Sequence, residues 1–242
     1  TLNQTLPLLQ DQVRRGLVFT SNADEQDDRS LTERAGRITS EFAGQLPAIR
    51  ALLFTDLEAA YQGDPAATST SEVLLCYPGM HAVIYYRIAH ALHRLEAPLI
   101  PRLISEIAHS STGIDIHPAA EIGSHFFIDH GTGVVIGETS VIGKRVRLYQ
   151  AVTLGAKRFT EGEHGDLIKG EPRHPILEDD VVIYAGATIL GRVTIGQESV
   201  IGGNVWLTQS VPARSHVVQA QMRTSPTIQP KQTDGQSAHR KT

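Results

Sequence analysis

The sequence predicts an α+β protein, an N-terminal helical domain followed by a solenoid of six-residue repeats. Up to about residue 110, apolar side chains recur at three- and four-residue spacing, the period of amphipathic helices. From Ile116 the period becomes six: Ile116, Ile122 and Ile128, then Ile136, Ile142, Leu148 and Leu154, then Leu177, Ile183, Ile189, Ile195, Ile201 and Leu207. In eleven of these thirteen units the residue four places on is Ser, Thr, Ala or Val, a regularity that chance does not explain. Phe126 and Arg158 are the two exceptions.

In the helical part, expected over residues 1–110, Val83, Tyr86, Ala89 (or Ile88) and Leu92 form one stripe. Pro78-Gly79 just before it marks a helix start. Pro98 and Pro101 punctuate the next helix, where Leu99, Leu103 and Ile107 repeat at four. Ser30 and Glu33 match a capping box, residues 20–29 form an acidic polar loop, and residues 62–71 form a turn-rich connector. Tyr85 and Tyr86 read as rim and core, and Cys76 as a buried helix residue.

The second part, expected over 111–213, is a solenoid in which three six-residue units close one triangular coil. The aliphatic points inward, the small residue fits beside it, and glycine follows the aliphatic in six units, relieving the corner. Thirteen units make a little over four coils. Such a stack needs caps, and the helical domain supplies one. Two irregularities break the count. Ile128 to Ile136 spans eight residues, a two-residue bulge around "HGTG"; Leu154 to Leu177 spans 23, with residues 157–172 expected as an extruded loop. Insertions in a solenoid mark its working face. The polar stretch 214–242 is expected to be a disordered tail.

Composition excludes several function classes. A net charge of −4 and 5% aromatics argue against a nucleic-acid surface. One cysteine forms no internal disulfide. No apolar run approaches the ~20 residues that span a bilayer. The first residues lack the basic and apolar blocks of a secretory signal. A cytoplasmic protein is expected.

The segments "GIDIHPAAEIG", "DHGTGVVIGETSVIG", "LYQAVTLGA", "RHPILEDDVVIYAGATILG" and "IGGNVW" resemble the serine O-acetyltransferases. So does "QGDPAA" followed by "HAVIYYRIAHAL"; the similarity runs from about residue 45 to 212. The resemblance implies a left-handed parallel β-helix and transfer of acetyl from acetyl-CoA to the L-serine hydroxyl, in cysteine biosynthesis. It implies a ternary complex, no metal, a homotrimer with sites between neighbouring prisms, and commonly a hexamer. By resemblance, His130 is the general base and Asp115 its partner. Asp64, Asp129, Arg173 and His174 hold serine; Gly155, Ala156, Ala185 and Gly203 line coenzyme A.

The residue chemistry fits these roles. Imidazole titrates near neutrality, carboxylates pair with an ammonium, and a guanidinium grips a carboxylate through two hydrogen bonds. Asp64 also suits a turn before Pro65, and His117 and His125 read as bystanders. Family tails often end in an isoleucine that docks into O-acetylserine sulfhydrylase. This sequence ends in Thr242, and "QAQMR" replaces the family's second turn segment, an expectation against that complex. The alternatives are a hexapeptide acetyltransferase with a sugar, homoserine or antibiotic acceptor, a γ-type carbonic anhydrase using His117, His125 and His130, and a non-enzymatic scaffold.

Overall fold

The computed structural model describes residues 1–21, 27–158 and 166–219. Most of the acidic loop, the middle of the expected extruded loop and the tail beyond 219 lie outside the described residues. Five helices come first: α1 (Leu2–Thr20), α2 (Asp28–Gly63), α3 (Thr70–Cys76), α4 (Pro78–Arg94) and α5 (Ile100–Thr112). Among the described residues, none is long and apolar enough to cross a membrane.

α1 and α2 close on a core of Val13, Leu17, Leu31, Ala35, Ile38 and Phe42, completed by Leu92 of α4. α4 starts at Pro78, where the missing N–H costs nothing, and Val83, Tyr86, Ala89 and Leu92 are all buried. Three expectations are corrected. Asp27, not Ser30, caps α2; Ser30 is already in the first turn, its hydroxyl donating to the Asp27 carbonyl (2.9 Å). Leu99, Leu103 and Ile107 face solvent in the single chain, because α5 buries its small residues Ser105, Ala108 and Thr112 instead. Cys76 is exposed at the end of α3.

The solenoid is a prism with three faces of parallel strands in register. Face one stacks β1 (Asp115–Ile116), β4 (Val135–Ile136), β7 (Thr153–Gly155), β10 (Thr188–Leu190) and β13 (Trp206–Leu207). Face two stacks β2 (Glu121–Ile122), β5 (Val141–Ile142), β8 (Ile176–Leu177) and β11 (Thr194–Ile195). Face three stacks β3 (Phe127–Ile128), β6 (Arg147–Leu148), β9 (Val182–Ile183), β12 (Val200–Ile201) and β14 (His216–Val217). The coil is left-handed. Every aliphatic of the six-residue count lies in a strand; all are buried except Leu207, which is partly so. β14 pairs with β12, so the coil runs past residue 213.

The edges differ in backbone. At the edge from face two to face three, His125, Arg145, Asp180, Glu198 and Arg214 all have positive φ. At the edge from face three to face one, Ala151, Gly186 and Asn204 form a similar column. Short polar or small residues tolerate this left-handed turn best, and the rest hold it because the stack over-determines it.

The helical domain locks onto the first coil. A Cβ on Gly79 would stand 2.1 Å from the Ile128 carbonyl oxygen, so only glycine lets the start of α4 approach β3 this closely. The Tyr86 hydroxyl donates to the Ala120 carbonyl (2.6 Å). Buried Arg87 donates twice to buried Asp56 (3.0 and 3.1 Å) and to the Ile122 and Gly123 carbonyls (2.5 and 2.6 Å). Asp56 in turn accepts the Phe126 amide (2.9 Å). Arg87→Met leaves that carboxylate buried without its partner, and is expected to lower unfolding free energy by about 3–5 kcal/mol. Urea unfolding checks it; a loss below ~1 kcal/mol would show that the clamp is peripheral.

Candidate active site

The two-residue bulge lies at the edge from face three to face one. There His130 adopts φ +59° and Gly131 φ +98°, and a Cβ at Gly131 would meet the Ile114 side chain at 2.4 Å. His130 is therefore thrust outward on a strained turn, its side chain 73% exposed and its Nε2 3.9 Å from Asp129 Oδ1. Asp129 is 7% exposed and accepts from Arg147 Nη2 (2.6 Å).

Asp64 reaches the same edge from the helical domain. It caps the C-terminus of α2, accepting the Ala66 amide (2.8 Å) and the Tyr77 hydroxyl (2.6 Å). It thus makes the turn before Pro65 and also faces the site. The Tyr77 hydrogen bond chiefly, with the Ala66 amide and the nearby Arg147 and His130, holds its carboxyl below the ordinary value. The same bond pushes the Tyr77 phenol up to about 12.

Asp115 opens face one at an outward, half-buried strand position beside Val135. Among the described residues it makes no hydrogen bond or ion pair to His130.

Arg173 and His174 occupy the opposite edge of face one, where the chain enters face two. His174 is 7% exposed, and its ring fills the space a Gly137 Cβ would take, 2.0 Å from Cδ2. The Thr139 hydroxyl accepts the Arg173 and His174 amides (2.9 and 3.1 Å) and lies 2.9 Å from His174 Nδ1. That nitrogen also accepts the Thr139 N–H (3.1 Å), which leaves the ring proton on Nε2. Burial first, then the adjacent Arg173 charge, holds the imidazole down at about 4. It is a neutral donor at pH 7. Arg173 pairs with Glu138.

The expected coenzyme residues divide likewise. Ala185 and Gly203 share the His130 edge, stacked so that a Gly203 Cβ would be 3.2 Å from the Ala185 carbonyl oxygen. Gly155 and Ala156 lie at the other edge. The N–H groups of Ala156, Ala185 and Gly203 donate to no other group among the described residues, leaving donors along both grooves.

His117, His125 and His130 fall on three different edges, so one chain does not gather them. Among the described residues no group of three His, Cys, Asp or Glu side chains is placed to hold a metal. Arg147, Tyr77, Glu138 and Thr139 are site neighbours that sequence reading missed. Arg147 left one signal, a charge at an outward strand position.

A hexapeptide β-helix capped by helices, with a histidine on a bulge at one edge, is the architecture of a hexapeptide-repeat acyltransferase. Residues 174–209 match the bacterial transferase hexapeptide model, and residues 4–84 match the serine acetyltransferase N-terminal model. The plasmid serine acetyltransferase of Synechococcus elongatus is 59% identical over 226 residues, 92% of this chain and 71% of that protein. Entamoeba histolytica serine acetyltransferase 1 in complex with L-cysteine superposes with TM-score 0.80 at 41% identity, covering 90% and 76%. The soybean enzyme complexed with serine gives 0.66 at 34%, covering 86% and 80%. The chain belongs to the serine acetyltransferase family.

Neutral His174 and His117, both held at about 4 chiefly by burial, bind fewer protons folded than unfolded between pH 4 and 6.5. Stability is therefore expected to be full above about pH 6.5 and to fall as pH drops toward 4. His174→Gln should flatten that decline in denaturant titrations. An unchanged slope would mean that the imidazole is not held neutral.

Proposed function

We propose that the two edges of face one are halves of a single active site, joined when the His130 edge of one copy meets the Arg173 edge of the next. As a member of its family the chain is an acyltransferase that moves acetyl from acetyl-CoA to the hydroxyl of L-serine. The carrying observation is the position of His130, on a strained outward turn beside Asp129 and near Asp64, on the edge that further along the stack carries the open amides of Ala185 and Gly203.

His130 takes the hydroxyl proton as the serine oxygen attacks the thioester carbonyl, and Asp115 orients the imidazolium. Charge on the carbonyl oxygen is met by backbone N–H groups of the coenzyme groove. The C–S bond then breaks, and the imidazolium returns its proton to the leaving thiolate. Acyl passes directly from donor to acceptor, with no acyl-enzyme. Asp64 and Asp129 pair with the serine ammonium; Arg173 and neutral His174 of the neighbouring copy hold its carboxylate.

A site built from opposite edges favours a closed ring of three prisms. The apolar surface of Leu2, Leu46, Pro47, Ala51 and Phe54 supports further assembly through the helical domains. A single cysteine supports a reducing, cytosolic setting.

Thiol release from acetyl-CoA, with and without serine, is the direct assay. His130→Ala is expected to lower kcat by ~10²–10⁴ while the assembled mass is unchanged; wild-type turnover would overturn the base assignment. Arg173→Ala is expected to raise the serine KM about tenfold or more with kcat changed less. An unaltered serine KM would place the carboxylate grip elsewhere.

A further inference from the structure

The carboxylates on the His130 edge come from two parts of the molecule, Asp129 from the coil and Asp64 from the end of α2. Arg147, on β6, links them. Its Nη2 donates to Asp129 Oδ2 (2.6 Å), and its charge is among the influences lowering the Asp64 carboxyl. The guanidinium lies over two rings, Phe127 at 5.0 Å and Tyr149 at 4.6 Å. The last turn of α2 closes over it: a Cβ on Gly63 would be 2.9 Å from Phe127 Cδ1 and 3.7 Å from Arg147 Nη1. Arg147 Nε is buried with no hydrogen-bond partner among the described residues. An arginine held this firmly on three sides, with a buried donor left unpaired, is costly unless its charge is used.

We propose that Arg147 is a positioning residue for the amine of the acceptor, fixing the Asp129 carboxylate and setting the charge of the pocket it shares with Asp64. This rests on the reading of Asp64 and Asp129 as the ammonium site. With Oδ2 committed to Arg147, Oδ1 is the oxygen left on the His130 side, 3.9 Å from the ring. Two carboxylates and one guanidinium sum to −2 + 1 = −1, the complement of one ammonium. Without the guanidinium the carboxylates repel each other across the interdomain seam, and Asp129 loses the contact that aims it. The two rings explain why arginine suits the position: a planar cation packs against both while its Nη2 still reaches Asp129.

The test compares Arg147→Met, Arg147→Lys, Asp129→Asn and the Asp129→Asn/Arg147→Met double variant as assembled proteins. Arg147→Met is expected to raise the serine KM about tenfold, with kcat within about threefold and the acetyl-CoA KM unchanged. Arg147→Lys recovers part of the loss. The double variant is no worse than the more severe single one, since both changes remove one contact. 3-Hydroxypropionate, which is serine without its amine, is turned over equally by the parent and Arg147→Met. A serine KM within about twofold of the parent in Arg147→Met overturns the proposal. So does a parallel loss in both KM values and kcat together with a lowered Tm, which marks a purely structural role. If Asp129→Asn raises the serine KM and Arg147→Met does not, only the positioning role fails. If Asp129→Asn leaves that KM unchanged, the ammonium reading fails and takes the proposal with it.

Discussion

A six-residue register, held by aliphatic side chains stacked one above another, is the constraint on which everything else depends. Ile116, Ile136, Leu154, Ile189 and Leu207 lie in line on face one, each paired in parallel with the next. Because every coil repeats the one below, each corner position becomes a column, and chemistry can be placed by column. His130, Ala185 and Gly203 share one edge; Arg173, His174, Gly155 and Ala156 share another. A slip of one residue would turn each buried side chain out and dissolve both columns.

The proposed base sits where the register is broken. The two extra residues after Ile128 force His130 into left-handed backbone, and the start of α4, admitted by Gly79, presses on the Ile128 carbonyl just before it. Strain of this kind persists only when the surroundings over-determine it. The Arg87–Asp56 clamp and the Tyr86 hydroxyl supply that rigidity by tying α2 and α4 to the first coil. The helical domain is thus more than a cap, since it also carries Asp64 to the edge where Asp129 waits.

What could be read from the sequence was whatever repeats locally. The inward aliphatics fall in strands because a period of six has one physical solution, and Pro78 begins α4 because proline is tolerated there. The bulge beside His130 was visible as a miscount. Interactions that depend on which coil lies above which were not legible: Arg147 with Asp129 is 18 residues apart, and His174 with Thr139 is 35. β14 was missed because Leu207 to Val211 is a step of four, after which Val211 and Val217 resume the six; Val211 bridges to Ile195. The apolar repeat on α5 pointed outward because helix packing chose its small residues, a tertiary preference that periodicity does not record.

The proposed centre takes the His130 edge from one chain and the Arg173 edge from a second. Mixing tests this most directly: His130→Ala and Arg173→Ala proteins are dissociated, combined in equal amounts and reassembled. They are then assayed at a serine concentration where each alone is nearly idle. Shared sites predict recovered thiol release approaching about a quarter of the parent rate, because some interfaces reunite two intact edges. No recovery in verified mixed assemblies would mean that each chain carries its whole centre, and would contradict the shared site.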